Sequence, residues 1–296
     1  MTRTLIGVDV GGSTTRAAVS RDGSIVGHAE GIGAAVRPGR ALASAAAIAE
    51  TVRRALAAAG LLQGDVMVVG AAGAGRAAEA EELRHALRGE GVAKTVQVTT
   101  DIEIALEGAL GEGPGIVLSA GTGSIAIARD AAGQMHRAGG YGWQMGDEGS
   151  GYAIGRAALG AVSRAADGRG AETKLSTRLL EATRSPDFDS LVRWTATAGP
   201  QEVAALAPHV LAEAAGGDPV ARAIVHYAAE ELAGLVLHLR RRHQLESAIV
   251  ALSGGLLTDA TLREPLEARL RKDGVEPAAG SVDGVGGALR MAERVS

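Results

Sequence analysis

The stretch LIGVDVGGSTT, residues 5–15, decides the fold class, because a later segment repeats its pattern. An apolar run ends in two glycines, a second run covers 15–20, and a third, 24–29, follows the turn RDG. The segment IVLSAGTGS, residues 116–124, likewise leads through 124–128 and the turn 130–133 to 134–137. Each segment is typical of three antiparallel strands joined by tight turns, so we interpret the pair as an internal repeat. From the pattern alone, it also stays possible that two unrelated hairpins resemble each other by chance.

The rest of the chain alternates between helical and strand patterns and later becomes largely helical. Residues 65–71, 94–99 and 248–252 are predicted strands. Helices are predicted at 38–59, 76–88, from 101, and at 148–165, 173–182, 201–214, 219–243, 259–272 and 283–295, the last capped by Asp283. Two related halves of this kind predict an α/β protein with two domains across a cleft, the place where ligands collect in such folds.

Composition excludes several classes of function. The formal net charge of -4 gives no basic footprint for nucleic acid. There is no cysteine, which argues against disulfides, thiol catalysis and iron–sulfur clusters. No apolar stretch approaches the roughly 18 residues that span a bilayer. We therefore expect a cytoplasmic protein that binds neither nucleic acid nor membrane.

Two turns carry the donors that phosphate groups need. Gly11, Gly12, Ser13 and Thr14 follow Asp9 at the end of the first strand, and Gly121, Thr122, Gly123 and Ser124 follow the first strand of the repeat. Turns without Cβ atoms let backbone N–H groups approach phosphate oxygens, and hydroxyls add donors. No Gly-Lys pair exists, which excludes a P-loop, and the strand pattern after position 123 argues against a Rossmann fingerprint.

Asp101 follows Thr99-Thr100 at the end of a strand and opens a helix. A carboxylate there is a candidate for proton transfer, but its position alone favours an ordinary helix cap. Asp147 and Glu148 also stand near a helix start, beside the clustered aromatic residues Tyr141 and Trp143.

Five motifs in this order resemble the BadF/BadG/BcrA/BcrD ATPase family, in its N-acetylglucosamine kinase-like branch. They are DVGGSTT at 9–15, TTD at 99–101, SAGTGS at 119–124, GGYGWQMGDEGSG at 139–151 and SGG at 253–255. The resemblance covers the chain from the first strand to the last helix. It implies two RNase H-like domains of the actin-like ATPase type, residues 1–112 and 113–296, with the last helix, about 283–295, packed on the first domain.

The resemblance also implies roles for individual residues. It makes Asp101 the catalytic base, which also contacts the substrate, and it places Asp9 near the Mg²⁺ ion. It assigns ATP binding to Gly11, Gly12, Ser13, Thr14, Gly121, Thr122, Gly123, Gly254 and Gly255. It assigns sugar binding to Ser124, Gly140, Tyr141, Gly142 and Asp147. The implied reaction transfers phosphate from ATP to a hydroxyl of an amino sugar, N-acetylglucosamine or glucosamine, at C6.

Two departures from the family pattern leave the sugar open. An Asn that usually contacts substrate after the third strand is missing, and Ala35 or Val36 stands there. The usual Trp of the sugar segment is Tyr141. An ATP-binding sugar sensor or regulatory ATPase without turnover is the alternative function. The related activators of acyl-CoA dehydratases hold their iron–sulfur cluster through cysteines, which this chain lacks. The expected partner is a small sugar, and a homodimer stays open.

Overall fold

The computed structural model describes residues 3–245, 248–280 and 282–295, and contacts between Cα atoms divide the chain into two compact units. Unit 1 comprises Met1–Gly113 and Ser281–Ser296, and unit 2 comprises Pro114–Gly280. Among the described residues, no helix has the length and apolarity that crossing a bilayer requires.

Unit 1 is a mixed five-stranded sheet with helices on both faces. Its elements are β1 (Thr4–Val10), β2 (Thr14–Arg21), β3 (Ser24–Ile32), α1 (Ala41–Ala58), β4 (Gly64–Ala71), α2 (Ala77–Gly89), β5 (Ala93–Thr99), α3 (Asp101–Leu110) and, after unit 2, α11 (Gly284–Glu293). The strand order is β3-β2-β1-β4-β5. β1, β2 and β3 are antiparallel neighbours, whereas β4 and β5 continue parallel to β1.

The central strands β1 and β4 are buried on both faces, as is typical of a strand with a nearly continuous apolar run. Ile6 and Val8 of β1 lie in one core cluster with residues of α1 and α2, and Leu5 lies in a second cluster with residues of α3 and α11. This alternation along one strand is the two-residue period of β structure. The last helix, α11, thus completes the core on the face of the sheet that α3 also covers.

Unit 2 repeats the first part of this topology and then adds helices. Its elements are β6 (Gly115–Ala120), β7 (Ser124–Arg129), β8 (Met135–Gly139), α4 (Gly151–Ala166), α5 (Leu175–Thr183), α6 (Phe188–Thr197), α7 (Pro200–Ala204), α8 (Ala207–Ala215), α9 (Pro219–Arg242), β9 (Ile249–Ser253), a 3₁₀ turn (Gly255–Thr258) and α10 (Ala260–Lys272). The strand order is β8-β7-β6-β9, with β6, β7 and β8 antiparallel and β9 parallel to β6.

The two sheets confirm the predicted repeat, because β3-β2-β1-β4 in unit 1 and β8-β7-β6-β9 in unit 2 have the same order and directions. Each hairpin turn is closed by a hydrogen bond from its first glycine, across four residues in the first turn and three in the second. Gly11 N–H donates to the carbonyl of Thr14 at 2.9 Å, and Gly121 N–H donates to the carbonyl of Gly123 at 2.9 Å.

One helix prediction in unit 2 is wrong, and one helix of unit 2 was missed. The helix predicted over 201–214 is two helices, α7 and α8, because Pro208 has no N–H to donate inside a continuous helix and occupies the first turn of α8 instead. Helix α6, capped by Asp187, was not predicted at all. Its sequence FDSLVRWTAT is rich in β-branched and aromatic residues, which form helices weakly in isolation.

Candidate active site

The first hairpin turn presents small residues to solvent at the end of β1. Gly12 and Ser13 are exposed, while Gly11 and Thr14 are partly buried. Thr15 is fully buried, and its hydroxyl donates to the carbonyl of Ile32 at 2.7 Å. The turn is therefore anchored at its base, and its tip is free to meet a ligand.

Three carboxylates from distant parts of the chain interact near this turn. Asp9 is the penultimate residue of β1, Asp101 begins α3, and Asp283 caps α11. Burial raises the pKa of Asp9. The positive charge of Arg16 opposes this rise, and the negative charge of Asp283 adds to it. Burial raises the pKa of Asp101 to about 6, with a further contribution from the negative charge of Asp9. Negative charge is therefore concentrated here, and ionising these carboxylates in the folded chain lowers its stability.

Asp101 is the first residue of α3, and Thr100 caps the helix. The Thr100 hydroxyl accepts from the backbone N–H of Glu103 at 3.2 Å, and the Glu103 carboxylate accepts from the N–H of Thr100 at 3.0 Å. This reciprocal capping box supplies what the helix end requires. The Asp101 carboxylate accepts from the N–H of Ile102 at 3.0 Å and from the N–H of its own residue, and it does not accept the bond that caps the helix. The interpretation of Asp101 as the helix cap is therefore wrong, and its carboxylate is available for chemistry.

Helix α11 reaches this cluster through glycines. A Cβ atom added to Gly284 would lie 2.9 Å from Oδ2 of Asp9. Asp283, one residue earlier, accepts from the N–H of Gly286 at 2.9 Å and so caps the helix as predicted. Sequence reasoning recognised Asp283 only as a cap. Its proximity to Asp9 could not be seen from positions more than 270 residues apart, and the small residues at the start of α11 were the only local signal.

Helices α3 and α11 are held together behind the carboxylates. The carboxylate of Glu107, a buried residue of α3, pairs with Arg294 at 2.9 Å. Its backbone carbonyl accepts from Arg290 at 2.8 Å. A side chain at Gly287 would collide with the carbonyl of Ile104, so the two helices are in backbone contact there. The positions of the two helix starts are thus fixed relative to each other.

In unit 2, the second hairpin turn is bonded to the segment that contains GDEGSG. The N–H of Gly151 donates to the carbonyl of Gly121 at 2.8 Å, and the N–H of Tyr152 donates to that of Thr122 at 3.2 Å. The Ser124 hydroxyl donates to the carbonyl of Glu148 at 2.7 Å. The structure therefore brings together the turn 121–124 and the segment 147–152, which the sequence placed in separate motifs.

Asp147 joins the same two segments with its side chain. It is buried and has a left-handed backbone with φ of 60°, a conformation that Asp tolerates better than most residues. Its carboxylate accepts from the N–H groups of Ser124 and Gly142. Burial raises the pKa of Asp147, and these two hydrogen bonds oppose that rise. Gly123 lies so close that an added Cβ would be 2.7 Å from Oδ2 of Asp147, which explains the glycine there.

The aromatic residues beside Asp147 differ in their surroundings. Tyr141 is 60% exposed, and the guanidinium of Arg137 lies 4.8 Å from its ring centroid. The rings of Trp143 and Tyr152 contact each other at 5.2 Å between centroids. Tyr141 is thus presented to solvent on the glycine turn formed by Gly140 and Gly142, while Trp143 has an aromatic neighbour.

The predicted nucleotide turn after β9 lies against the second hairpin. Gly254 has φ of 95°, and a Cβ atom there would collide with the carbonyl of Ala120, the residue before Gly121. Gly255 begins the 3₁₀ turn, and a Cβ atom added there would meet open space. In unit 2 the structure therefore groups Gly121, Gly123 and Gly254.

The position where the family pattern expects Asn offers no polar side chain. Val36 is buried, and its N–H donates to the carbonyl of Ala72 at 2.8 Å. The carbonyl of Ala35 accepts from the hydroxyl of Ser44 at 3.3 Å. The departure noted in the sequence is thus real in structure, and no residue at 35 or 36 can donate a side-chain hydrogen bond to a ligand.

Two sheets of matching topology, each opening with a glycine-rich hairpin turn, define the class of sugar kinases and actin-like ATPases. Within that class, the sequence model of the BadF/BadG/BcrA/BcrD ATPase family matches residues 6–292, and the chain belongs to this family.

Relatives and a solved structure agree with this assignment. The chain is 35% identical over 166 residues to an N-acetylmuramic acid/N-acetylglucosamine kinase of Clostridium acetobutylicum, a match that covers 55% of this chain and 54% of that protein. It is 30% identical to a glucosamine kinase of Vibrio cholerae, over 80% of each chain. A crystal structure from Chromobacterium violaceum, whose name proposes an N-acetylglucosamine kinase, is 32% identical with a TM-score of 0.84 and coverage of 97% and 98%. The match to the Clostridium relative thus spans about half of that protein's length.

Proposed function

We propose that the protein is an ATP-dependent kinase of amino sugars that phosphorylates the 6-hydroxyl of N-acetylglucosamine or glucosamine. The observation that carries the proposal is the carboxylate of Asp101. It sits at the start of a helix that Thr100 already caps, with a pKa raised to about 6 beside Asp9. A base with a pKa near the working pH can accept a proton and release it again. Membership of the ATPase family supports ATP as the phosphoryl donor.

In the proposed reaction, Asp101 accepts the proton of the sugar hydroxyl while the hydroxyl oxygen bonds to the γ-phosphorus. The bond from that phosphorus to the β–γ bridging oxygen breaks, and its electron pair leaves with ADP. The products are a sugar phosphate, ADP and a protonated Asp101, which loses its proton to solvent. Such a transfer needs mainly positioning and stabilisation of charge.

The residues present also fit a Mg²⁺ ion. The ion takes one or two protein carboxylates together with water and phosphate oxygens, so it needs no cage of protein ligands. Among the described residues no group of three His, Cys, Asp or Glu side chains forms a metal cage, whereas Asp9 and Asp101 supply two interacting carboxylates. When bound, the ion would neutralise phosphate charge. We assign Asp9 to hold it.

We assign binding of the nucleotide and of the sugar to residues of the turns. The turns at 11–14 and 121–123 and the residues Gly254 and Gly255 would bind the nucleotide, through backbone N–H groups and hydroxyls. Ser124, Gly140, Tyr141, Gly142 and Asp147 would bind the sugar. The exposed ring of Tyr141 can stack on sugar C–H groups. Asp147 is already bonded to two N–H groups, so its contribution is chiefly to hold the turn that carries the other contacts. We expect a cytoplasmic enzyme, and a homodimer stays a prediction.

The proposal is tested by measuring ADP release with N-acetylglucosamine, glucosamine, N-acetylmuramic acid, N-acetylmannosamine and glucose as acceptors. We expect turnover on at least one of the amino sugars and its loss in Asp101→Asn. The matched control is Asp22→Asn, because Asp22 lies in the exposed β2–β3 turn of the same unit and Asn tolerates its φ of 50°. Sugar binding without ADP release would instead support the sensor without turnover, and wild-type rates in Asp101→Asn would remove the assignment of the base.

A further inference from the structure

Arg137 is the residue of unit 2 whose position beside the sugar segment no motif explains. It is the central residue of β8, where it pairs with Ile127 of β7, and the chain continues through Ala138 into Gly139 and Gly140. The side chain turns forward along the chain rather than away from it. Its Nε donates to the carbonyl of Gly139 at 3.1 Å, and its Nη2 donates to the carbonyl of Gly140.

The same guanidinium also covers Tyr141, with its central carbon 4.8 Å from the ring centroid. A cation at this distance over a phenol ring is attracted by the negative face of the ring. One side chain therefore contacts three consecutive residues of the segment, two through backbone carbonyls and one through its aromatic ring.

The segment needs such a contact because its own backbone is weakly determined. Gly139, Gly140 and Gly142 have φ of 71°, 72° and 90°, and unrestrained glycine samples many other conformations. Fixing a residue into one conformation costs about 1–2 kcal/mol of entropy, so a turn built on glycines requires contacts from outside to stay in place. Asp147 supplies a contact at the C-terminal end of the turn, where its carboxylate accepts from the N–H of Gly142. Arg137 supplies two contacts at the N-terminal end, to the carbonyls of Gly139 and Gly140.

We infer that Arg137 is the positioning residue of the sugar subsite: it holds the Gly139–Gly142 turn and the ring of Tyr141 in the arrangement that binds the amino sugar. This inference rests on the proposed function and extends it to a residue outside the matched motifs. The effect acts on sugar affinity, because within the described part of the chain the hydrogen bonds and ring contact of Arg137 lie on the sugar segment rather than on the turn 121–124 or Gly254.

The test compares Arg137→Gln and Arg137→Lys with the wild type in steady-state kinetics, varying sugar and ATP separately. Arg137→Gln removes both the positive charge and the bidentate guanidinium donor. Arg137→Lys keeps a cation that can contact the ring of Tyr141 but loses the bidentate geometry. We expect the sugar KM to rise by about tenfold or more in Arg137→Gln, the loss expected for one charge-assisted hydrogen bond, with the ATP KM unchanged and Arg137→Lys between the two. Arg169→Gln is the matched control, because Arg169 pairs with Asp167 beyond the end of α4 and is exposed.

A double-mutant cycle then separates positioning from a general loss of structure. If Arg137 acts through the ring, Arg137→Gln changes the sugar KM less in a Tyr141→Ala background than in the wild type. An unchanged sugar KM in Arg137→Gln, or an equal rise of the sugar and ATP KM values, would overturn the inference while leaving the kinase proposal intact. A wild-type protein that turns over no amino sugar would overturn both.

Discussion

Replacing Asp101 by Asn should make the nucleotide-free protein more stable while it abolishes turnover. Asn has nearly the same shape, and its side-chain oxygen can still accept from the N–H of Ile102, as Asp101 does at 3.0 Å. What the substitution removes is the negative charge that burial and Asp9 make unfavourable. The proposed role in catalysis and the energetics of the fold therefore predict opposite effects of one substitution.

The magnitude follows from the pKa of Asp101, which rises from 3.8 to about 6 on folding. One pH unit corresponds to about 1.4 kcal/mol, so the upper limit is about 3 kcal/mol. Because the side chain is partly exposed and water screens its charge, we expect about 1–2 kcal/mol. In a chain of this size such a gain raises the unfolding temperature by about 2–5 °C.

The pH dependence supplies an internal check. Because the folded pKa lies above the unfolded value, the folded state binds the proton more tightly, and the wild type loses stability as the pH rises from 3.8 to about 6. The stability gain of Asp101→Asn is therefore complete above pH 6 and shrinks towards zero near pH 4. Thermal unfolding of the wild type, Asp101→Asn and Asp22→Asn, without ATP and Mg²⁺, at about pH 7.5 and about pH 4 measures this difference.

A lower unfolding temperature for Asp101→Asn at about pH 7.5 would refute the reasoning, because a capping carboxylate costs about 1 kcal/mol when it is lost. A gain of equal size at both pH values would refute it as well. In that case the charge would not be the cause.

Three further results are expected. The kcat/KM for sugar should fall as the pH is lowered, because only the ionised form of Asp101 accepts a proton, and the midpoint should lie at or below about 6 because a Mg²⁺ ion at Asp9 would lower the pKa of Asp101; a kcat/KM that stays flat from about pH 7 to about pH 4 would count against it. Gly123→Ala should impair turnover, since its Cβ would lie 2.7 Å from a carboxylate oxygen of the neighbouring segment, whereas Gly234→Ala on the exposed face of α9 meets nothing and should leave activity unchanged. Glu107→Ala should lower the stability of unit 1 by about 2 kcal/mol, less than a fully buried pair because Arg294 is 43% exposed, as measured by urea unfolding.

The fold class could be predicted because its signal is local. Each hairpin can be recognised within about 25 residues, from an apolar run, a glycine turn and a second apolar run. The same pattern occurs again at 116–137, which supports the prediction. The structure confirms it in the matching strand orders of the two sheets. Helix α6 escaped prediction for the opposite reason: its residues favour a helix only after Leu191 is buried against the core of unit 2.

The candidate site was predictable only where a motif marked it. Asp101 attracted attention as a carboxylate after a strand, but position alone favoured a cap. The competing cap, Thr100, is the residue immediately before it, and only the hydrogen-bond geometry separates the two roles. Arg137 had no signal of its own, and Asp283 had a signal only as a helix cap. Their significance lies in contacts with Tyr141 and Asp9, which depend on how the chain folds back.

The carboxylates of unit 1 lie where two helices begin, and this placement explains how the fold holds them. Helix N-termini carry partial positive charge, so the starts of α3 and α11 reduce the cost of the negative charge at Asp101 and Asp9. Each helix is capped by a different side chain, Thr100 or Asp283, so Asp101 and Asp9 are not needed to cap either one. Burial nevertheless raises the pKa of both, so the compensation is incomplete. A sequence selected for stability alone would replace Asp101 with a neutral residue, and the retained charge therefore favours a chemical role over a structural one.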